Sequence, residues 1–266
     1  MIEDQDKKPT LCIGILTLNE ERRIAACIDN AGFADQIIVI DSGSTDRTCE
    51  IATEKGAEVH RYADWQGFAV QRNRLLEHVR TDYIFFLDAD ETIPAPLRQE
   101  IQQAVETRTE AVWKVFWEQV AFGTPLTRMT KVAGGVRRLF AMTNILRYEG
   151  VVHEHAILRN PDTPEQAFKG RLLHHSRETV YGSLLKLAQY AQLGAVRRAQ
   201  AGKKGGIRRG LASALMNFVR FYFFRKGFLC GGPGFLFCLV VSLECFFRYA
   251  ILKYDPMSEN ADVVKR

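Results

Sequence analysis

The sequence predicts an α/β fold: a doubly wound, mainly parallel sheet followed by a basic, aromatic helical extension. Three observations carry this expectation. Short apolar runs alternate with amphipathic ones through the first hundred or so residues. Such alternation implies parallel strands with helices on both faces of the sheet. Polar clusters stand at the carboxyl ends of those runs, where open α/β sheets bind their ligands. From Thr179 to Leu243 there are ten Lys/Arg and no Asp or Glu, so the front and back of the chain differ in kind.

"TLCIGILTLN" reads as a buried first strand and "EERRIAACIDNAG" as a helix closed by Gly32. "QIIVID" is a second strand ending at Asp41. "SGSTD" then turns the chain into the helix "RTCEIATEKGA", with Ser44 or Thr45 as the expected N-cap. "EVHRY" is a third strand, and "FAVQRNRLLEHV" has apolar residues at helical spacing. "DYIFFLD" is the fourth strand; Pro94 and Pro96 then punctuate the start of the helix "LRQEIQQAVE". "TLNEE", "DSGSTD" and "DADE" thus fall at one edge of the sheet and form one site. A dinucleotide oxidoreductase is the default for such alternation, but no G-x-G-x-x-G follows the first strand.

With 266 residues, 47% hydrophobic and 25% charged, the chain has the composition of a globular protein. The net charge is +5, yet residues outside Thr179–Leu243 carry 26 Lys/Arg against 31 Asp/Glu. The six cysteines form no C-x-x-C pair and most sit among apolar neighbours, as reduced buried thiols do. "MIEDQDKKPT" is polar and acidic, unlike a secretory signal. The expected compartment is the cytosol or the cytoplasmic face of a membrane.

An apolar strand ending in Asp88, Asp90 and Glu91 collects carboxylates where repulsion is costly unless positive charge is present. Asp88 and Asp90, two apart, suit Mg²⁺ or Mn²⁺, hard cations that accept phosphate oxygens; the alternative is a solvated acidic turn. Asp41 either accepts hydrogen bonds from a base or ribose or caps its own turn. Arg72 and Asn73 either reach phosphates or face solvent.

"TLNEE", "VIDSGSTDRT", "DWQGFAVQRN" and "LDADE", in this order, resemble the inverting, nucleotide-sugar-dependent glycosyltransferases of family 2. That family has a GT-A fold with a metal-binding D-x-D. The further runs "RLF" (Arg138–Phe140), "VHE" (Val152–Glu154), "HHS" (His174–Ser176) and "RKGFL" (Arg225–Leu229) resemble the lipopolysaccharide-core β-glucosyltransferases of Gram-negative bacteria. The resemblance runs from about Leu11 to Tyr254, with Cys230 a departure where relatives usually have Asp. It implies that Thr17, Asn19 and Glu20 line the nucleotide pocket, with Asp41 on the uracil or ribose. It further implies that Asp88 and Asp90 hold the metal and diphosphate, and that Arg138 touches the pyrophosphate. The implied domains are a GT-A catalytic domain over residues 1–178 and a membrane-associating region over 179–266.

An inverting transfer needs one general base on the acceptor hydroxyl. Glu154, flanked by His153 and His155, is the expected base, with Glu118 and Glu149 as alternatives. His153 or His174 is a candidate metal ligand; zinc is disfavoured because H-x-H and H-H fit no common structural zinc pattern.

The uncharged run Gly227–Leu243 is 17 residues long and contains Gly-Gly-Pro, short and broken for a spanning helix. It reads as two amphipathic helices joined by "CGGPG", lying on an anionic membrane, with Glu244 and Arg248 paired at i, i+4. Its apolar runs are too long and aliphatic to stack on single-stranded nucleic acid. The expected partners are therefore a nucleotide-sugar donor, a lipid-linked acceptor and a membrane surface, with no nucleic acid. The expected reaction moves a hexose, glucose from UDP-glucose, onto the lipopolysaccharide inner core. A sugar-1-phosphate nucleotidyltransferase and a non-catalytic nucleotide-sugar sensor are the competing expectations. A nucleotidyltransferase usually carries a Gly-rich loop after strand one, and "TLNEERR" has no glycine.

Overall fold

A computed structural model of the protein describes residues 7–129, 135–150 and 154–255. The chain divides into two compact units. One comprises Met1–Trp117 and Gly134–His174; the other comprises Glu118–Ala133 and His175–Arg266.

In the first unit β1 (Leu11–Thr17), β2 (Gln36–Asp41), β3 (Glu58–Arg61) and β4 (Tyr83–Asp88) lie parallel. They alternate with α1 (Ile24–Ala31), α2 (Thr48–Glu54) and α3 (Phe68–Leu76). After β4 come the short strand β5 (Glu91–Thr92), α4 (Ala95–Glu106), β6 (Val112–Ala121), β7 (Thr124–Pro125) and β8 (Val136–Ala141). β9 (Ile145–Glu149) and β10 (His155–Leu158) form a separate antiparallel hairpin, and β11 (Glu165–Arg177) closes the strand list. The sheet order is β3-β2-β1-β4-β8-β6-β11-β5, with β7 on β6, so the parallel half meets an antiparallel half at β4–β8. The expected doubly wound, mainly parallel sheet is present.

The central strands read as continuous apolar runs because both faces are covered. Ile13, Ile15, Phe85 and Leu87 face one way, onto Ile24 and Ile28 of α1 and Leu97 and Ile101 of α4. Cys12, Leu16, Ile84 and Phe86 face the other, onto Leu75 of α3 and Tyr148 of β9. Gly14 is small for a reason: a Cβ there would stand 2.5 Å from Leu75 Cδ2. All six cysteines are free, and burial pushes the Cys12 thiol up to about 12, as an inert core thiol requires.

The expected cap of α2 is corrected. Arg47 occupies the N-cap position, and Asp46 Oδ1 accepts the Thr48 N–H at 3.0 Å. Ser44 is instead spent on Asp41, and Thr45 donates its N–H to Asn19.

The second unit contains α5 (Val180–Gln200), α6 (Ile207–Val219) and α7 (Gly231–Tyr254). A π-helical turn, Arg220–Phe224, and a 3-10 turn, Gly227–Cys230, lie between α6 and α7. Thr179 caps α5 by accepting the Gly182 N–H at 2.9 Å. Both α5 and α6 pack on α7. Two expectations change here. "CGGPG" does not join two helices; it forms the first turn of α7, where proline lacks no needed donor. The reversal falls earlier, at Lys226, whose φ is +59°. Glu244 pairs with Arg177, not with Arg248, and both partners are buried. Gly227–Tyr254 is a described stretch long and apolar enough, by length and composition, to cross a membrane.

Gly14→Ala is expected to overpack the β1–α3 contact and cost about 1–3 kcal/mol. Urea unfolding reads this as a lower midpoint at unchanged slope.

Candidate active site

The parallel register brings three strand ends together: Thr17 is opposite Asp41, and Leu16 is opposite Asp88. The loops after them are stitched to one another. Asn19 donates its N–H to Ser44 Oγ at 2.8 Å and accepts the Thr45 N–H at 2.9 Å. The φ of Asn19, +55°, lies in the left-handed region that asparagine tolerates best among side-chain-bearing residues. Glu20 donates its N–H to Thr48 Oγ1 at 2.8 Å, while its carboxylate pairs with Arg23 at 2.8 Å.

Asp41 is fully buried. Its Oδ1 accepts the N–H groups of Gly43 and Ser44 at 3.0 and 2.9 Å, and its Oδ2 accepts the Ser44 hydroxyl. It performs the turn-capping role. The Asn73 amide donates to the Tyr148 carbonyl at 3.0 Å and accepts the Tyr148 N–H at 2.7 Å, clamping α3 to β9.

The end of β4 is organised around Arg138 of β8, which is 3% exposed. Its Nη2 donates to Asp88 Oδ2 at 2.8 Å and to Glu91 Oε1 at 2.7 Å. Glu91 is also buried; it accepts the Asp88 N–H at 2.9 Å and the Trp117 indole N–H. Arg138 is thus enclosed behind the acidic turn. Burial opposes ionisation of Asp88, but the Arg138 and Arg72 guanidiniums outweigh it and hold the carboxyl well below its usual range. Burial pushes Glu91 up, against the pull of Arg138.

Arg72 connects the rest. It is buried on α3, over the faces of Phe86 and Tyr148 at 5.0 and 5.4 Å. Its Nη2 lies 3.7 Å from Asp88 and its Nε lies 3.8 Å from Glu154. Asp88, Arg72 and Glu154 therefore form one chain of charge, and the expected base joins the acidic turn. Asp90 faces His174, with Oδ2 and Nε2 3.3 Å apart. His153 lies outside the described residues. Residues that sequence reasoning left unassigned are Glu91 and Trp117; the third carboxylate of "DADE" was the available signal.

The donor set fits a divalent cation. Asp88, Glu91 and Glu154 share the two guanidiniums of Arg72 and Arg138, three carboxylates on two cations, and Asp90 stands beside His174. Thr17 Oγ1, Arg72 Nε and Arg138 Nε are buried without hydrogen-bond partners among the described residues, so the site also holds unmet polar capacity. Asp88, Asp90 and His174 offer the hard oxygens and imidazole that Mg²⁺ or Mn²⁺ accept.

A mainly parallel sheet with a charged site beyond its strand ends is the α/β architecture that binds ligands at that edge. Residues 12–155, more than half of the chain, match Glycosyl transferase family 2, and the chain belongs to that family. It is a glycosyltransferase with a GT-A-like fold, which sets aside the nucleotidyltransferase expectation. Over 247 residues it is 26% identical to the lipopolysaccharide core biosynthesis glycosyltransferase LpsC of Rhizobium meliloti, covering 89% of each chain. An uncharacterized glycosyltransferase of Rickettsia felis is 25% identical over 95% of this chain and 92% of its own. Among solved structures, glucosyl-3-phosphoglycerate synthase from Mycobacterium tuberculosis, in complex with Mn²⁺, UDP and glucosyl-3-phosphoglycerate, is 28% identical with a TM-score of 0.36. That match covers 41% of this chain and 44% of the synthase.

Arg138→Met is expected to leave the buried Glu91 without its cation and Asp88 with Arg72 alone, and to cost about 3–5 kcal/mol in denaturant unfolding. The Asp88 pKa is depressed, so its contribution to stability is complete above the ordinary carboxyl pKa of about 3.9 and disappears as pH falls through the lower folded value. The stability difference between wild type and Asp88→Asn should therefore be flat from pH 7 to about pH 5 and shrink only in stronger acid.

Proposed function

We propose that this glycosyltransferase moves glucose from UDP-glucose, with inversion, onto the inner core of a lipopolysaccharide precursor or a related lipid-linked glycan. The observation that carries this reading is the Asp88–Arg72–Glu154 chain of charge at the ends of the parallel strands. The end-to-end similarity to LpsC supports the acceptor class.

Glu154 takes the proton of the acceptor hydroxyl. The acceptor oxygen bonds to the anomeric carbon as the bond from that carbon to the diphosphate oxygen breaks, and UDP leaves on the opposite face. Arg72, 3.8 Å away on the buried side, orients Glu154. Asp88, Asp90 and His174, with His153 as the further candidate, would hold the divalent cation. When bound, that cation supplies Lewis-acid stabilisation of the departing diphosphate. Thr17, with its buried hydroxyl lacking a partner, lines the nucleotide side.

Membrane association at the cytoplasmic face belongs to the same reading. α6 and the turn after it expose Leu211, Leu215, Met216, Phe223 and Phe224, at 55–76% of their surface. Arg208, Arg209, Arg220, Arg225 and Lys226 accompany them without a single acid. Apolar side chains inserted among headgroups, with cations on anionic lipid, are the signature of interfacial binding.

Glu154→Gln is expected to lower kcat by 10²–10⁴-fold, the usual worth of a general base, while UDP binding by calorimetry is retained. Asp88→Asn/Asp90→Asn is expected to abolish Mn²⁺-dependent UDP binding. UDP binding indifferent to chelator and to the double substitution would overturn the nucleotide-site assignment. Leu215→Asp/Phe224→Asp should release the protein from phosphatidylglycerol vesicles in a flotation assay while it stays folded by circular dichroism.

A further inference from the structure

A second cluster of ligand-type side chains lies on the edge strand of the sheet, away from the strand-end site. Glu58 and His60, two apart on β3, project to one face, and His78 reaches the same place from the segment after α3. Glu58 pairs with Ile38 in the β2 ladder, whereas the strand-end pair is Arg61 with Asp41, so the cluster sits toward the opposite end of β3.

We propose that Glu58, His60 and His78 bind a borderline divalent transition metal, with Zn²⁺ as the representative ion. One ligand atom from each residue lies within 4.8 Å of the others, the one such three-ligand group among the described residues. Two imidazoles and a carboxylate form a donor set that Zn²⁺ accepts, with a fourth position open to water. A tetrahedral ion with ~2.0 Å bonds wants its ligand atoms roughly 3.3 Å apart, so binding draws the three together and reorients one imidazole. His60 Nε2 and Glu58 Oε1 are already 2.9 Å apart.

The surroundings hold the ligands in the way metal ligands are usually held. Glu58 Oε2 takes the closer Arg80 contact, at 2.5 Å, and the Gln36 amide at 3.1 Å; Oε1 has only the longer Arg80 contact, at 3.2 Å, besides His60. Oε1 is therefore the coordinating oxygen, and Arg80 stays on Oε2. The same Gln36 amide donates to the His78 carbonyl at 3.1 Å, and Gln36 Oε1 accepts the Arg80 N–H at 3.0 Å, tying the segment after α3 to β3. Tyr62 and His78 Nε2 are 2.9 Å apart. With that Nε2–H donated to the Tyr62 oxygen, Nδ1 of His78 is left to the ion. The His60 and His78 rings are stacked, with centroids 3.5 Å apart and planes within 7°, so binding turns one imidazole out of the stack to bring both in-plane lone pairs onto one ion. On binding, the ion replaces the hydrogen on His60 Nε2, which moves to Nδ1 of the same ring through solvent. The ion would staple an edge strand, otherwise held on one side only, to the connection entering β4.

The full chain, stripped with chelator, is titrated with Zn²⁺ by calorimetry and with Co²⁺ by visible absorption, in excess Mg²⁺ to occupy hard carboxylate sites. One equivalent of Zn²⁺ and visible Co²⁺ ligand-field bands are expected. His60→Asn and His78→Asn should each weaken Zn²⁺ at least tenfold, with metal-free melting unchanged, whereas Asp90→Asn should leave the affinity as it is. If His78→Asn melts early without metal, His60→Asn decides alone. The proposal is overturned by no binding at micromolar Zn²⁺, by unaltered affinity in His60→Asn, or by loss of binding in Asp90→Asn.

Discussion

The guanidinium of Arg138 is the constraint on which the site depends. It is buried where an uncompensated cation is untenable, so the turn after β4 must bring carboxylates to it. Glu91 and Asp88 both do, and Glu91 additionally takes the Asp88 N–H, so the cation and the turn define each other's shape. The repulsion expected among the three acids of "DADE" is relieved first by the protein's own arginine. Asp88 then has one oxygen toward Arg138 and the other toward Arg72, and through Arg72 the arrangement extends to Glu154 on the far side of α3. Residues remote in sequence are thereby set in one electrostatic line.

Much of the fold was legible because its signals are local. Strands β1, β2 and β4 are apolar runs whose burial on both faces leaves little room for another reading, and their polar ends mark the loops that converge. The positions of Thr17, Asp41 and Asp88 at adjacent strand ends follow from parallel register alone. Which groups are spent internally was not legible. Asp41 reads equally as a turn cap or a base contact, and only the folded turn shows that two backbone N–H groups of "SGS" take its carboxylate as acceptor. Asn73 reads like Arg72 on a helix, yet one clamps the Tyr148 backbone and the other joins two carboxylates, because only tertiary packing places β9 beside α3. Arg138, fifty residues after Asp88, gave no local sign that it would be enclosed.

The helical unit illustrates the same limit from another side. Helix-period pairing of Glu244 with Arg248 is a sound local expectation, but α7 buries Glu244 against Arg177, at the end of β11. Burial alone raises the Glu244 pKa, and the Arg177 charge pulls against it, so this glutamate is tolerated inside an apolar helix because a partner from elsewhere meets it. Glycines elsewhere in this unit serve close packing. A Cβ at Gly210 would stand 2.9 Å from the Phe246 carbonyl, and one at Gly205 2.6 Å from the Tyr249 carbonyl, so α6 approaches α7 only because these residues lack side chains.

A carboxylate that must accept a cation has to be ionised before the cation arrives, and burial works against that. Arg138 and Arg72 solve this for Asp88 by holding its charge in place permanently. The arrangement has a second effect. Because both arginines are themselves shared, with Glu91 and Glu154 respectively, neither neutralises Asp88 fully, and the excess negative charge of the turn persists. A site built only from acids would resist folding, and one with each acid matched by its own arginine would have no use for a divalent cation. Sharing two arginines among three carboxylates, with Asp90 beside His174, is the intermediate that both folds and leaves work for a ligand to do.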